Sequence, residues 1–215
     1  MALSPRRLRA VYDRVGARQD RQAWYEDVAT DVLLRHGAFE DAGAVVEMGC
    51  GTGRLAAALL ARSGATYRGT DLSPVMVGLA RARLAPFGRR AAVELVDGGP
   101  PPGPPGSADR FVAAYVLDTL SDADIAAAVG AAHRLLRPGG LLCLASLGGA
   151  AGGLPRAVAA AWAGVYRVRP DLVGGCRPVR VVPFLDPDRW AVRHAEPVAP
   201  WGVPSEAVVA ERRGV

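Results

Sequence analysis

The stretch Val45-Val46-Glu47-Met48-Gly49-Cys50-Gly51-Thr52-Gly53-Arg54 constrains this chain more than any other. The apolar run from Ala44 to Met48 reads as a buried strand. Three alternate glycines follow at 49, 51 and 53, and a helical pattern begins near Arg54. Glycine tolerates positive φ and lets a backbone approach a ligand closely. A strand that enters a glycine turn and then a helix gathers backbone N–H groups and the positive end of the helix at one point. In open α/β sheets that point is a ligand crevice at the carboxyl end of a strand. The spacing departs from the dinucleotide fingerprint G-x-G-x-x-G/A, because its third small position is held here by Arg54. The pattern is instead acidic-x-G-x-G-x-G, with Glu47 at its head. A carboxylate at this mouth repels phosphate and favours a cation such as an ammonium group.

The following segments alternate in a regular way. Thr66 to Thr70 reads as a second strand and ends at Asp71-Leu72-Ser73-Pro74. Asp71 lies twenty residues after Gly51, where a carboxylate can accept hydrogen bonds from both hydroxyls of a ribose. Ser73 is a helix N-cap and Pro74 a first helical residue, opening a helix that carries Met76, Leu79 and Leu84. Ala91 to Val96 is a third strand, ending at Asp97-Gly98. The run from Gly98 to Gly106 holds five prolines and has no capacity for helix or ladder. Phe111 to Val116 is a fourth strand, with Leu117-Asp118-Thr119-Leu120 at its carboxyl end. Ser121 or Asp122 caps a helix to about Leu136, and Arg137-Pro138-Gly139-Gly140 stops it. Leu141 to Leu147 is a buried fifth strand, closed by Gly148-Gly149.

Four of these elements, in this order and register, resemble the class I S-adenosylmethionine-dependent methyltransferases: the glycine motif, Asp71, Asp97 and the Leu-Arg-Pro-Gly-Gly turn. The resemblance covers residues 40 to 147 well and the two ends only generically. It implies S-adenosyl-L-methionine as cofactor and S-adenosyl-L-homocysteine as product. The implied cofactor residues are Glu47, Gly49, Cys50, Gly51, Gly53, Asp71, Leu72, Met76, Asp97 and Gly98, with Asp97 on the adenine amino group and Leu72 and Met76 along the adenine. The expected fold is α/β, a Rossmann-like doubly wound seven-stranded sheet in the order 3-2-1-4-5-7-6. Its last strand is antiparallel and an N-terminal helical cap covers it. The whole chain is expected to be one domain, with residues 1–40 as cap, 41–147 as cofactor-binding core and 148–215 as a C-terminal helix and closing strand pair.

The ends would set the acceptor. Residues 5 to 36 read as two helices broken near Gly16. Asp20 would cap the second, and Trp24, Val28 and Val32 form an apolar stripe with Tyr25, Ala29 and Leu33 beside it. In the resembled fold such helices cover the cofactor pocket, where Tyr12 and Tyr25 could touch ligand. Leu154 to Val168 is a helix, and Trp190 to Val198 and Ser205 to Arg212 are strands. Trp162 and Arg177 are candidate acceptor contacts, and Asp118 is the candidate to orient or deprotonate the acceptor. Cys50, Cys143 and Cys176 lack metal or CxxC spacing and read as reduced thiols. His36, His133 and His194 are scattered and suggest no metal site, the first two being surface helix residues.

Formal charge is +5, and Arg6, Arg7, Arg9, Arg14, Arg18 and Arg21 crowd the start of the chain. This reads as a solvated helix face, with weak association at an anionic membrane surface as the alternative. No apolar run is long enough to span a bilayer, and the N-terminus has no signal-peptide core. A cytoplasmic location follows by default. No nucleic-acid motif is present, and Leu117-Asp118-Thr119-Leu120 replaces the Asn/Asp-Pro-Pro-Tyr/Phe signature expected of nucleic-acid methylation. The leading reading is methyl transfer to O, N or C of a small molecule, quinone-like and lipid-like acceptors sharing this layout. A non-catalytic adenosylmethionine-binding scaffold is the alternative from another class, and a nicotinamide oxidoreductase a third.

Overall fold

The computed structural model describes residues 2–148 and 152–214; Gly149, expected to close the fifth strand, lies outside them. Seven strands form one sheet in the order β3-β2-β1-β4-β5-β7-β6. They are β1 (Ala44–Met48), β2 (Thr66–Asp71), β3 (Ala91–Leu95), β4 (Ala108–Ala114), β5 (Leu136–Leu147), β6 (Trp190–Val198) and β7 (Ser205–Arg212). The first five pair in parallel, and β7 runs antiparallel to both β5 and β6. The order and the antiparallel final strand are those expected from the sequence.

Period-two alternation deals the strand residues to two apolar layers. Val45, Val112, Cys143, Ala145 and Val209 pack on one face, against α2 (Ala23–His36), α3 (Arg54–Leu60) and α4 (Pro74–Leu84). Val46, Phe111, Leu142, Leu144 and Val208 pack on the other, against α5 (Asp122–Leu135). With both faces covered, the central strands are nearly continuous apolar runs, as parallel sheets require. α1 (Pro5–Val15) and α6 (Gly153–Val168) complete the helices. Among the described residues no helix is long and apolar enough to cross a membrane.

Several local expectations shift. Gly16–Gln22 forms a 3-10 helix, so α2 starts at Ala23 and Asp20 does not cap it. The buried stripe of α2 is Tyr25, Ala29, Val32 and Leu33, while Trp24 is 51% and Val28 40% exposed. The stripe is rotated by about one residue because α2 packs under β7 and β5 rather than lying free. The Leu-Arg-Pro-Gly-Gly turn lies within β5 as an unpaired loop-out of Arg137 to Gly140, and regular pairing resumes at Leu141 as expected. β5 begins at Leu136 and absorbs it, with a register shift opposite Ala108 and Arg110. His133 is buried, its ring edge-on to Trp190 at 5.3 Å between centroids.

The turn after β1 needs glycine for two separate reasons. Gly49 has φ +69°, and a Cβ there would stand 2.6 Å from Val116 Cγ2. Gly51 has φ +52° with open space around it. Gly49→Ala should therefore lose at least about 2 kcal/mol in urea denaturation, strain and overlap adding. Gly51→Ala should lose about 1 kcal/mol from backbone strain alone, and equal losses would show that crowding at Val116 contributes nothing.

Candidate functional site

Two adjoining cavities open at the carboxyl ends of β1, β2 and β4. The larger, about 270 Å³, is lined by Glu47, Gly49, Cys50, Gly51 and Arg54 from the glycine turn and by Tyr12, Asp20 and Glu26 from the N-terminal segment. The smaller, about 130 Å³, is mostly apolar, with Leu3, Leu8, Met48, Leu72, Val96 and Leu120 along it. Gly49, Asp71, Leu72 and Thr119 line both. The cleft is therefore acidic at one end, apolar at the other, and carries one carboxylate at the junction.

Local geometry explains each position. Glu47, the penultimate residue of β1, is 3% exposed and accepts the Tyr67 hydroxyl proton at 2.5 Å. Burial pushes its carboxyl up to about 7, with the Tyr67 bond pulling the other way and Asp71 adding to the rise. Asp71 accepts from the Gly51 and Ser73 N–H groups, each at 2.9 Å. Burial raises its pKa against those backbone donors. Ser73 caps α4, accepting from Met76 N at 3.1 Å, as its place before Pro74 predicts.

Of the other residues singled out in sequence, Gly98 lines the apolar cavity at φ +110°. Gly53 lines neither cavity; a Cβ there would meet Ala80 Cα at 3.1 Å, so its role is close packing of α3 on α4. Met76 is fully buried in α4 and lines neither cavity, because the first turn of α4 points it into the core. Asp97 has a fully exposed side chain at the rim, paired with Arg9 at 2.9 Å. Arg177 reaches away from both cavities: it donates to Leu120 O at 3.0 Å and pairs with Asp122, bracing the start of α5.

The N-terminal segment is fastened across the cleft by groups that sequence reading did not connect. Arg9 Nε donates to Leu72 O at 2.8 Å. Ser73 Oγ donates to Asp13 at 2.5 Å. Asp20 accepts from Thr52 Oγ1 at 2.6 Å and pairs with Arg83 at 2.5 Å. Arg54 pairs with Glu26 at 2.7 Å and with Asp27. Arg54, which marked the departure from the dinucleotide fingerprint, is thus a strut between the glycine turn and α2. Two of the N-terminal arginines also turn inward, Arg9 to this rim and Arg7 to Asp171 at 2.9 Å.

Beside the larger cavity lies a small pocket of about 10 Å³, lined by Tyr12, Gln19, Tyr25, Glu26, Tyr115, Asp118, Trp162 and Cys176. Asp118 is 1% exposed. Its Oδ2 accepts from Leu147 N at 3.1 Å, and its Oδ1 has no partner among the described residues. Burial pushes this carboxyl up to about 7, and that of Glu26 to about 7 as well, the latter against the pull of Arg54. Tyr115 follows β4 at φ +55°, a conformation that bulky residues adopt only under constraint. The sequence signal for it was an aromatic directly after Ala113-Ala114 at the carboxyl end of a strand, read there as strand interior. Glu26 carried no signal beyond its place on an amphipathic helix.

Comparison with known proteins agrees with this geometry. Residues 45–140 match the family described as "Methyltransferase domain". That span runs from β1 into the start of β5 and holds the glycine turn and Asp71, the part of the chain that resembles class I S-adenosylmethionine-dependent methyltransferases. Over 140 residues the chain is 32% identical to the "Biotin biosynthesis bifunctional protein BioCD" of Bordetella avium (strain 197N), a match covering 63% of this chain and 29% of that protein. The chain thus matches under a third of that relative's length. In fold it is similar to an O-methyltransferase family protein from Burkholderia thailandensis, with TM-score 0.70, 18% identity, and coverage of 91% of this chain and 58% of that one. It is also similar to the geranyl diphosphate C-methyltransferase of Streptomyces coelicolor A3(2), solved with Mg²⁺, geranyl diphosphate and S-adenosyl-L-homocysteine. There the TM-score is 0.69 at 15% identity, covering 87% of this chain and 79% of that one.

The three buried carboxyls have a consequence for stability. Glu26, Glu47 and Asp118 stand at about 7 when folded, against about 4 in an unfolded chain. Between those values the folded state binds more protons than the unfolded, so their contribution is most favourable below about pH 4 and is lost as pH rises through about 7. The melting temperature of the ligand-free protein should fall between about pH 5.5 and 8. Glu47→Gln should shrink that fall in calorimetry, and an undiminished fall would show that Glu47 titrates normally.

Proposed function

We propose that the chain transfers a methyl group from S-adenosyl-L-methionine to a small molecule held between the N-terminal segment and the carboxyl end of β4. The observation that carries this reading is the polarity of the two-part cleft. An acidic end at Glu47 suits an amino acid's ammonium group, the Asp71 carboxylate at the junction suits a ribose, and the apolar end suits a purine. Glycine at 49 and 51 lets the backbone come close without a side chain in the way. The cofactor, when bound, supplies a methyl carbon on a sulfonium, already electrophilic.

The chain's own work is placement and exclusion of water. Gly51 N–H and Ser73 N–H hold the Asp71 carboxylate in one orientation. Tyr67 does the same for Glu47. Asp97, exposed at the rim and engaged by Arg9, would reach the adenine end only by exchanging that partner. Asp118 sits behind the cleft as the group to orient or deprotonate an acceptor. A small pocket that carries carboxylates favours a compact acceptor over the quinone-like or lipid-like molecule suggested by overall layout. The activities of the bifunctional relative and of the geranyl diphosphate enzyme are theirs; what supports transfer here is the cleft and the family.

Titration calorimetry with S-adenosyl-L-methionine tests the reading. Asp71→Ala should weaken binding by roughly 1.5–3 kcal/mol, the scale of hydrogen bonds to a charged group. It should also lower the melting temperature, since two backbone N–H groups lose their acceptor. Asp97→Ala should change affinity by less than about threefold, an exposed pair being worth little. Unchanged affinity in Asp71→Ala would remove this cleft as the donor site, and tight binding without turnover on any acceptor would make the chain a scaffold.

A further inference from the structure

We propose that the methyl acceptor is a small amine, held as an ammonium in the pocket formed by Tyr12, Tyr25, Tyr115, Trp162 and Asp118. This rests on the methyl-donor reading above and names the class of its second substrate. The argument is an account of which polar atoms the pocket leaves over.

Each aromatic side chain has its polar end engaged by another group of the protein. The Tyr25 hydroxyl donates to Gln22 Oε1 at 3.0 Å, and the Tyr115 hydroxyl to Ser205 Oγ at 2.9 Å. Trp162 Nε1 donates to Cys176 O at 3.0 Å. The Tyr12 hydroxyl sits 3.8 Å from Cys176 Sγ. What these four rings offer the pocket is π-surface, with Tyr25 and Tyr115 perpendicular at 5.9 Å between centroids. The amide of Gln19 is also used, donating to Gln22 at 2.8 Å and to Glu26 at 3.1 Å. No arginine, lysine or histidine lines the space. Glu26 already has Arg54. The fully buried polar atom of the lining left without a partner among the described residues is one carboxylate oxygen, Asp118 Oδ1.

Aromatic faces around a buried carboxylate oxygen recognise a cation that can also donate a hydrogen bond. An anion is repelled there, because the charged side chains lining the pocket are the carboxyls of Glu26 and Asp118 and no cation lines it. The pocket adjoins the larger cavity through Tyr12, Gln19, Glu26 and Tyr115, which line both, so an amine here stands beside the acidic half of the donor cleft. Its volume of about 10 Å³ matches little more than one water. An amine therefore enters as Tyr12 and Gln19, both from the N-terminal segment, move outward.

The step balances with the groups named. The ammonium passes one proton to Asp118 Oδ1, leaving a neutral amine. The amine lone pair forms an N–C bond to the methyl carbon, and the S–C bond breaks with its electron pair going to sulfur. The products are an N-methylammonium, S-adenosyl-L-homocysteine and a protonated Asp118, which returns its proton to water.

Matched probes test this: benzylamine and phenethylamine against benzyl alcohol, phenethyl alcohol and phenol, each with the full chain and S-adenosyl-L-methionine. Release of S-adenosyl-L-homocysteine and the mass of the methylated product are read together. The amines should turn over and the oxygen compounds should not. Asp118→Asn should lower kcat/KM for the amine at least about 100-fold, the scale of general-base loss, with affinity for S-adenosyl-L-methionine kept within about threefold. Retained cofactor affinity shows that variant to be folded. Tyr25→Leu should raise KM for the amine more than it lowers kcat. Methylation of the alcohols or phenol alone, or no amine-dependent release from protein that binds the cofactor, overturns the amine assignment and leaves the donor site standing. Failure to bind S-adenosyl-L-methionine removes both.

Discussion

The turn from Gly49 to Gly53 is sewn to the neighbouring strand by three N–H donors. Gly49 N and Cys50 N both reach Thr70 O, at 2.8 and 3.0 Å, and Gly51 N reaches the Asp71 carboxylate at 2.9 Å. These bonds need positive φ at 49, 51 and 53, which only glycine adopts without cost. Everything at the carboxyl edge is positioned from them. They set the distance between Glu47 and Asp71, start α3 at Arg54, and so aim Arg54 at α2.

A second constraint follows from charge. The edge buries several carboxyl groups with few cations beside them, and burial raises the pKa of Glu47, Asp71 and Asp118. Such groups destabilise the folded state near neutral pH unless a ligand supplies the missing partner. Perturbed carboxyls gathered in one cleft mark it as a candidate functional site, although ion-pair networks shift such groups too. The N-terminal segment is held over them by polar contacts through Asp13, Asp20 and the Glu26–Arg54 pair, and by the apolar face of α2 packed on the sheet. Ion pairs at a rim are weak and screened by salt.

The sheet was legible because its signals are local. Strand alternation, the Ser73-Pro74 cap, and the Asp71 register with the glycines each depend on residues close in sequence. The seven-strand order followed from alternating units and the family pattern. What was misread was set by contacts between distant residues. Asp20 looked like a cap until Thr52 and Arg83 claimed it. Met76 looked like a ligand contact until α4 turned it into the core. Arg177 looked like a pocket residue until Leu120 O and Asp122 drew it to the start of α5.

By itself the sequence determined that a glycine turn with an acidic head sits at the end of the first strand, with a second acid one strand over. Backbone conformation and short-range register carry that information. Only the tertiary structure decided that Glu26, Tyr115 and Trp162 meet Asp118, because they come from an N-terminal helix, a strand end and a C-terminal helix with no shared periodicity. The donor side of the chemistry was therefore written in adjacent residues. Asp118, Tyr12, Tyr25 and Trp162 were acceptor candidates in the sequence, but only burial revealed that they line one pocket and that one carboxylate oxygen of Asp118 has no partner among the described residues.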